Sequence, residues 1–234
     1  MTGVLSAGGW GFVAGSAFVI GGVARLRWSN PSNRAVGLLT AFGAGALIAA
    51  VAYELVDEAG RLSGGNGSVG LGLVVGSLIF LVASGYWGST EQTVDVSFHS
   101  LLVTVVPEAV IIVGSLLSGH HIGVAMIIAV FSCGIPEAFV ATDKLVDSGM
   151  SHRKIILRWT SLALLCGLSA AIAFAVLDGA RERAVALVLA LAGGAVLTEL
   201  TTELVPEARK LAGPLAGTAA VIGFAIVFGL VEVV

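Results

Sequence analysis

Apolar residues run along this chain in eight stretches of about 20, separated by short polar connections; a helix of that length crosses a hydrocarbon core roughly 30 Å thick. The stretches cover approximately 4–24, 35–55, 69–87, 101–118, 121–143, 155–177, 184–204 and 214–234, and they predict eight membrane-spanning helices. Two of them are interrupted. The fourth carries Pro107-Glu108 and the fifth carries Pro136-Glu137, well inside their apolar runs. Proline removes a helix hydrogen bond, and a charged residue at the centre of a span costs about 2.5–3.5 kcal/mol on insertion scales. The same triplet, Pro-Glu-Ala, returns at Pro206 to Ala208 at the end of the seventh stretch, and Asp-Glu-Ala closes the second at Asp57 to Ala59.

Composition agrees with this reading: 57% of the 234 residues are hydrophobic, 12% are charged, and the mean hydropathy is +1.01, as in integral membrane proteins. No connection is long enough to fold separately, so residues 1–234 read as a single integral membrane domain, all-α with eight transmembrane helices. The first stretch lacks a basic flank before it and is followed by a basic loop, which predicts a retained span rather than a cleaved leader. The net charge of −3 carries no electrostatic footprint for nucleic acid, whereas the placement of the bases is informative. Nine of the twelve, Arg25, Arg27, Arg34, Lys144, Arg153, Lys154, Arg158, Arg209 and Lys210, fall in the odd-numbered loops. By the positive-inside rule those loops are cytoplasmic and both termini extracytoplasmic, in the cytoplasmic (inner) membrane of a cell. Cys133 and Cys166 fall inside different spans, where Cys166 reads as a small packing residue rather than half of a disulfide.

The second and seventh stretches align at an offset of 149 residues, which pairs Gly45 with Gly194, Glu54 with Glu203, Glu58 with Glu207 and Leu62 with Leu211. Five crossings separate the two helices, so they run in opposite directions, and the first three and last three spans read as an inverted repeat around the central pair. The central pair is itself related at an offset of 29, "TVVPEAVI" from Thr104 against "CGIPEAFV" from Cys133. Such 3+2+3 inverted repeats are a transporter pattern, with the substrate site near the midplane.

The residue types around the prolines suit a cation. Each proline leaves a carbonyl without its donor, that of Val103 or Ser132, and the glutamates follow directly. Thr104 and Cys133 stand four residues before Glu108 and Glu137, on the same helical faces. If the kinked helices face each other, two carboxylates, a thiol, a hydroxyl and freed carbonyls converge; oxygen donors satisfy hard divalent ions, and a thiolate adds preference for zinc or cadmium. Outside this group, Glu58 and Glu207 read as interfacial residues beside Arg61, Arg209 and Lys210, whereas Glu54 and Glu203, one turn deeper, line a route to the site. Thr198, Glu199, Thr202 and Glu203 form a polar stripe on the seventh span that reads as lining a cavity or a helix interface. His120 and His121 sit in the loop between the kinked helices, either as a metal-capturing entrance or as an ordinary polar turn. Asp143 reads as an exit ligand or a partner of Lys144.

Eight spans, outward termini and paired Pro-Glu motifs resemble the ZIP family of divalent metal transporters, the zinc- and iron-regulated transporter-like proteins, over nearly the whole chain. Bacterial members commonly read His-Asn-x-Pro-Glu-Gly in spans four and five, and "ELVPEA" from Glu203 is similar to a motif that ends the family's seventh span. Here Thr104 and Cys133 stand at the histidine positions, Val105 and Gly134 at the asparagines, and Ala109 and Ala138 at the glycines. The sixth span has no acid near Cys166, and His99 is the only histidine between residues 88 and 100, where members often carry a histidine-rich loop. The resemblance implies a homodimer and movement of one half against the other. Small residues such as Gly43, Gly45, Gly193 and Gly194 permit close packing within one protomer or between two.

The expected function is inward transport of a divalent metal ion, zinc-like, with cadmium, iron or manganese as alternatives, and no enzymatic reaction. Glu108, Glu137, Cys133 and Thr104 are the expected ligands. Two other readings stay open: a metal-sensing or structural relative that does not transport, and a proton-coupled carrier of another solute.

Overall fold

The computed structural model describes residues 2–28, 32–65, 67–88, 95–117 and 124–233, and among these the chain is all helix, with no strand. Eight continuous helices follow the eight apolar stretches: α1 (Thr2–Arg27), α2 (Asn33–Ser63), α3 (Ser68–Gly88), α4 (Asp95–Leu117), α5 (Val124–Asp147), α6 (His152–Leu177), α7 (Glu182–Ala212) and α8 (Leu215–Val233). Five of them, α1, α2, α3, α6 and α7, are long and apolar enough to cross a membrane. In α4 and α8 the apolar described parts are shorter, Val105–Gly114 and Leu215–Val231.

The helices overrun the predicted spans most at α2 and α7, each continuous over 31 residues. Hydropathy marks where apolar side chains stop, but a helix continues as long as its backbone bonds are made and its polar end is satisfied locally. Arg61 donates to Glu58 through Nε and Nη2, at 2.8 and 2.6 Å, and Lys210 stands 4.0 Å from Glu207. Both pairs lie three residues apart on one helix face. The helices then stop at glycines that take left-handed or extended positive-φ conformations closed to other residues, Gly64 at φ 69° and Gly213 at φ 63°.

Within α2 and α7 the backbone departs from α geometry at matching places. The Asp57 N–H donates to the Ala52 carbonyl, and the Val205 N–H to that of Leu200, each five residues back. These π turns span Val51–Val56 and Leu200–Leu204, and their first residues are again 149 apart. Pro206, which cannot donate to Thr202, gives α7 a covalent reason for the disturbance; α2 has Asp57 at that position and forms the turn without it.

The helices pack as three tight pairs, α1 with α6, α2 with α8 and α3 with α7, around α4 and α5. Alpha carbons without side chains make the pairs close. A Cβ on Gly45 would overlap the Ala220 carbonyl and one on Gly223 that of Phe42; across the α3–α7 pair, Gly194 meets the Leu73 carbonyl and Gly76 that of Leu191. Such Cα–H···O approaches add a little energy each and leave no room for even a methyl group. Helices α1, α5 and α6 lock through Trp159, fully enclosed, which stacks on Phe18 at 6.2 Å and donates from Nε1 to Thr142 Oγ1 at 2.9 Å.

These crossings predict that Gly45→Ala and Gly194→Ala each destabilise the fold by about 1–3 kcal/mol through overpacking. Gly70→Ala and Gly229→Ala, with open space around the added methyl, leave stability unchanged or raised. Thermal unfolding of the purified chain in detergent separates the two classes, and equal melting temperatures for all four would contradict the close crossings.

Candidate functional site

Pro107 and Pro136 both lie inside continuous helices, and the residues after them turn inward. Glu108 is 4% exposed and Cys133 is 1% exposed, while Glu137 is partly buried. The i, i+4 spacing sets Cys133 and Glu137 on one face of α5. Across the helices, Glu108 and Glu137 are near enough for their charges to act on Cys133. The predicted core is thus gathered around one buried region. The Thr104 side chain, His120 and His121 lie outside the described residues.

Glu199 joins this group, a placement missed by a reading that set it on an access stripe. It is 4% exposed on α7, and its charge reaches both Glu137 and Cys133; Glu203, one turn on, also reaches Glu137. The signal was present in the spacing, since Glu199 and Glu203 lie four residues apart and share a face. The stripe itself divides: Glu199 is buried, Thr198 half-buried, and Thr202 and Glu203 exposed. The Thr198 and Thr202 hydroxyls donate back to the carbonyls of Gly194 and Thr198, at 2.8 and 2.7 Å. Glu54, the counterpart of Glu203 on α2, is half-buried.

Chemically, the region concentrates acidic groups. Glu108 has no hydrogen bond or ion pair with any described residue, and its buried neighbours Val105, Ala109 and Ile112 are aliphatic. A charge enclosed this way gains from any cation that comes within reach, because the low local dielectric strengthens the attraction. In this conformation, however, no three His, Cys, Asp or Glu side chains among the described residues form a metal-holding group.

Two expectations are corrected. The Ser132 carbonyl, freed by Pro136, does not turn toward the carboxylates; it packs against the Cα of Gly43, where a Cβ would overlap it. The α2–α5 crossing uses that oxygen, because glycine lets the helices approach until a Cα–H replaces the missing N–H as its neighbour. Asp143 is neither paired with Lys144 nor on the face of Glu137. Its Oδ1 accepts from Arg25 Nε at 2.8 Å and also from Nη2, with the guanidinium 5.9 Å over the Phe139 ring. Adjacent residues on a helix point about 100° apart, so Lys144 faces elsewhere, and six residues carry Asp143 about 120° away from Glu137. Both cysteines are buried and free, as expected. A separate cavity of about 270 Å³ opens among the ends of α2, α4, α6 and α7, lined by Glu58, Leu62, Gly114, Leu117, Asp178 and Glu182.

Asp143 is half-exposed, and its ion pair contributes less than about 1 kcal/mol. The Trp159–Thr142 bond is buried, and removing its donor costs about 1–3 kcal/mol. Trp159→Phe is therefore expected to lower the melting temperature more than Asp143→Asn, and the opposite order would put the weight of the α1–α5–α6 packing on the ion pair.

No protein-family model matches this chain, and no curated protein matches it either.

Proposed function

We propose that the chain is an eight-span membrane protein that carries divalent metal ions, zinc-like in preference, into the cytoplasm through a site between α4 and α5. The observation that carries this reading is the burial of Glu108 and Cys133, with Glu137 partly buried, within reach of one another's charge on two helices that each contain a proline. Buried carboxylates in an apolar bundle are costly, and their presence favours a cation pathway over a purely structural role. Glu108, Glu137 and Cys133 would be the ligands, with Thr104 a weaker one, and a ZIP-like protein is the family this most resembles. The acidic cavity at the ends of α2, α4, α6 and α7 lies on the side the positive-inside rule makes extracytoplasmic, and its Glu58, Asp178 and Glu182 would draw cations toward the entrance.

An inverted 3+2+3 repeat, with α4 and α5 kinked between the halves, belongs to the same proposal. It is supported by features that recur at matched positions: the two π turns, the glycine crossings of α2 with α8 and of α7 with α3, and the pairs Glu58–Arg61 and Glu207–Lys210. The lack of a three-ligand group among the described residues favours a second reading. In it the carboxylates relay protons for another solute, or bind metal without transporting it.

Influx into liposomes containing the purified chain separates these readings. Zinc, cadmium, iron(II) or manganese is expected to enter with the wild type, and entry is expected to vanish in the Glu108→Ala, Glu137→Ala double variant. A folded wild type that moves none of the four ions would sink the transport reading. Metal binding without influx would then support the sensing role, and uptake that follows pH alone would support the carrier of another solute.

A further inference from the structure

The offset of 149 that pairs Glu54 with Glu203 and Glu58 with Glu207 sets Glu199 against Ala50. Both positions are buried, Ala50 fully and Glu199 to 4% exposure, so the two halves enclose the same place equally. Only α7 puts a carboxylate there. Its charge reaches Glu137 and Cys133, and across the group stands Glu108, enclosed and without a hydrogen bond or ion pair to any described residue. Two carboxylates, one thiol and the weaker Thr104 hydroxyl can fill the four places zinc takes, but they leave harder ions, which take six or more, short of donors.

Glu199 is the residue immediately before the π turn Leu200–Leu204. A π turn is an α-helix holding one surplus residue; passing that surplus along the helix turns each residue it crosses by about 100°. Such a shift ordinarily strands carbonyls without donors. In α7 those carbonyls are already covered by side chains: Thr198 donates to Gly194, Thr201 to Leu197 and Thr198, and Thr202 to Thr198, at 2.7 to 3.0 Å. The matching positions of α2 are Ala49, Ala52 and Tyr53, of which the two alanines have no hydroxyl and the tyrosine holds its own far from the backbone. The π turn of α7 carries hydroxyls on these carbonyls, and the matching positions of its twin do not.

We propose that Glu199 is a third cation ligand, brought onto the Glu108–Glu137 pair by a shift of the π turn in α7. The proposal rests on the reading that this pair binds a divalent cation. A third carboxylate makes the donor set harder, so that manganese or iron(II) is accepted alongside zinc. It also accounts for a donor group that is gathered but not closed among the described residues.

The test is titration calorimetry of zinc and of manganese into the full chain in detergent, with cobalt(II) absorption as a report on the ligands themselves and melting curves as the check on folding. Glu199→Gln is expected to weaken binding of both ions at least tenfold and to change the cobalt band, while melting like the wild type. Deletion of Thr201, which removes the surplus residue, is expected to do the same. Deletion of Ala52, its counterpart in α2, is expected to leave affinity within about threefold. If Glu199→Gln binds like the wild type and keeps its cobalt band while Glu108→Gln loses binding, the third-ligand proposal is wrong and the α4–α5 site stands. If the wild type binds none of the three ions, the site reading fails first. Should a deletion not fold, the isosteric Glu199→Gln result decides alone.

Discussion

A carboxylate enclosed by aliphatic side chains must find an opposite charge or hydrogen-bond donors to replace the water it has lost, and without them ionisation costs several kcal/mol. Glu108 meets that condition on a helix whose buried neighbours are Val105, Ala109, Ile111 and Ile112. The groups whose charges reach the same region, Glu137 and Glu199, add to the negative potential instead of relieving it, and Cys133 supplies a soft donor with little positive character. Protonation relieves such carboxyls one at a time, whereas a divalent ion held among them would relieve several together.

Such a requirement is useful only if water and the wrong geometry are kept out, and here the glycine crossings matter. Gly45 and Gly223 bring α2 and α8 to backbone contact, Gly194 and Gly76 do the same for α7 and α3, and Gly43 seats α2 on the Ser132 carbonyl beside the kinking proline of α5. Helices that touch through their backbones have little freedom to slide or splay, because there are no long side chains between them to rearrange. The proline-freed oxygen, which on its own would be a weak point, is thereby shielded. What α5 turns toward the acidic region is then set by Cys133 and Glu137 rather than by bare backbone.

The eight helices were legible in hydropathy alone, and so was the pairing of Pro107-Glu108 with Pro136-Glu137, because a carboxylate in an apolar run stands out whatever surrounds it. The ends of α2 and α7 were not, since a polar sequence such as "DEAGRLS" stays helical through Glu58–Arg61 pairing that hydropathy does not register. The pairing of Asp143 with Lys144 failed for a geometric reason: Lys144 is its neighbour in sequence but not on the helix, and its partner Arg25 lies 118 residues away. Glu199 was visible as a polar residue yet not as a buried one, because burial depends on which helix lies opposite. The π turn of α7 had a covalent hint in Pro206, whereas that of α2 had none, and only its backbone bonds reveal it.

The relation between the two halves sharpens what each residue does. Where both halves agree, as at the π turns, the glycine crossings and the glutamate–base pairs, the shared feature answers a demand of the fold that arises twice. Where they differ, the demand is local. Ala50 and Glu199 occupy equivalent buried places, and packing alone is served by the alanine; the carboxylate adds an ionisable group that packing does not call for. The threonines beside it, absent from the other half, cover backbone carbonyls that a regular helix would leave to its own N–H groups. The matching place in α2 folds with alanine, so packing at that place does not by itself call for a carboxylate in α7.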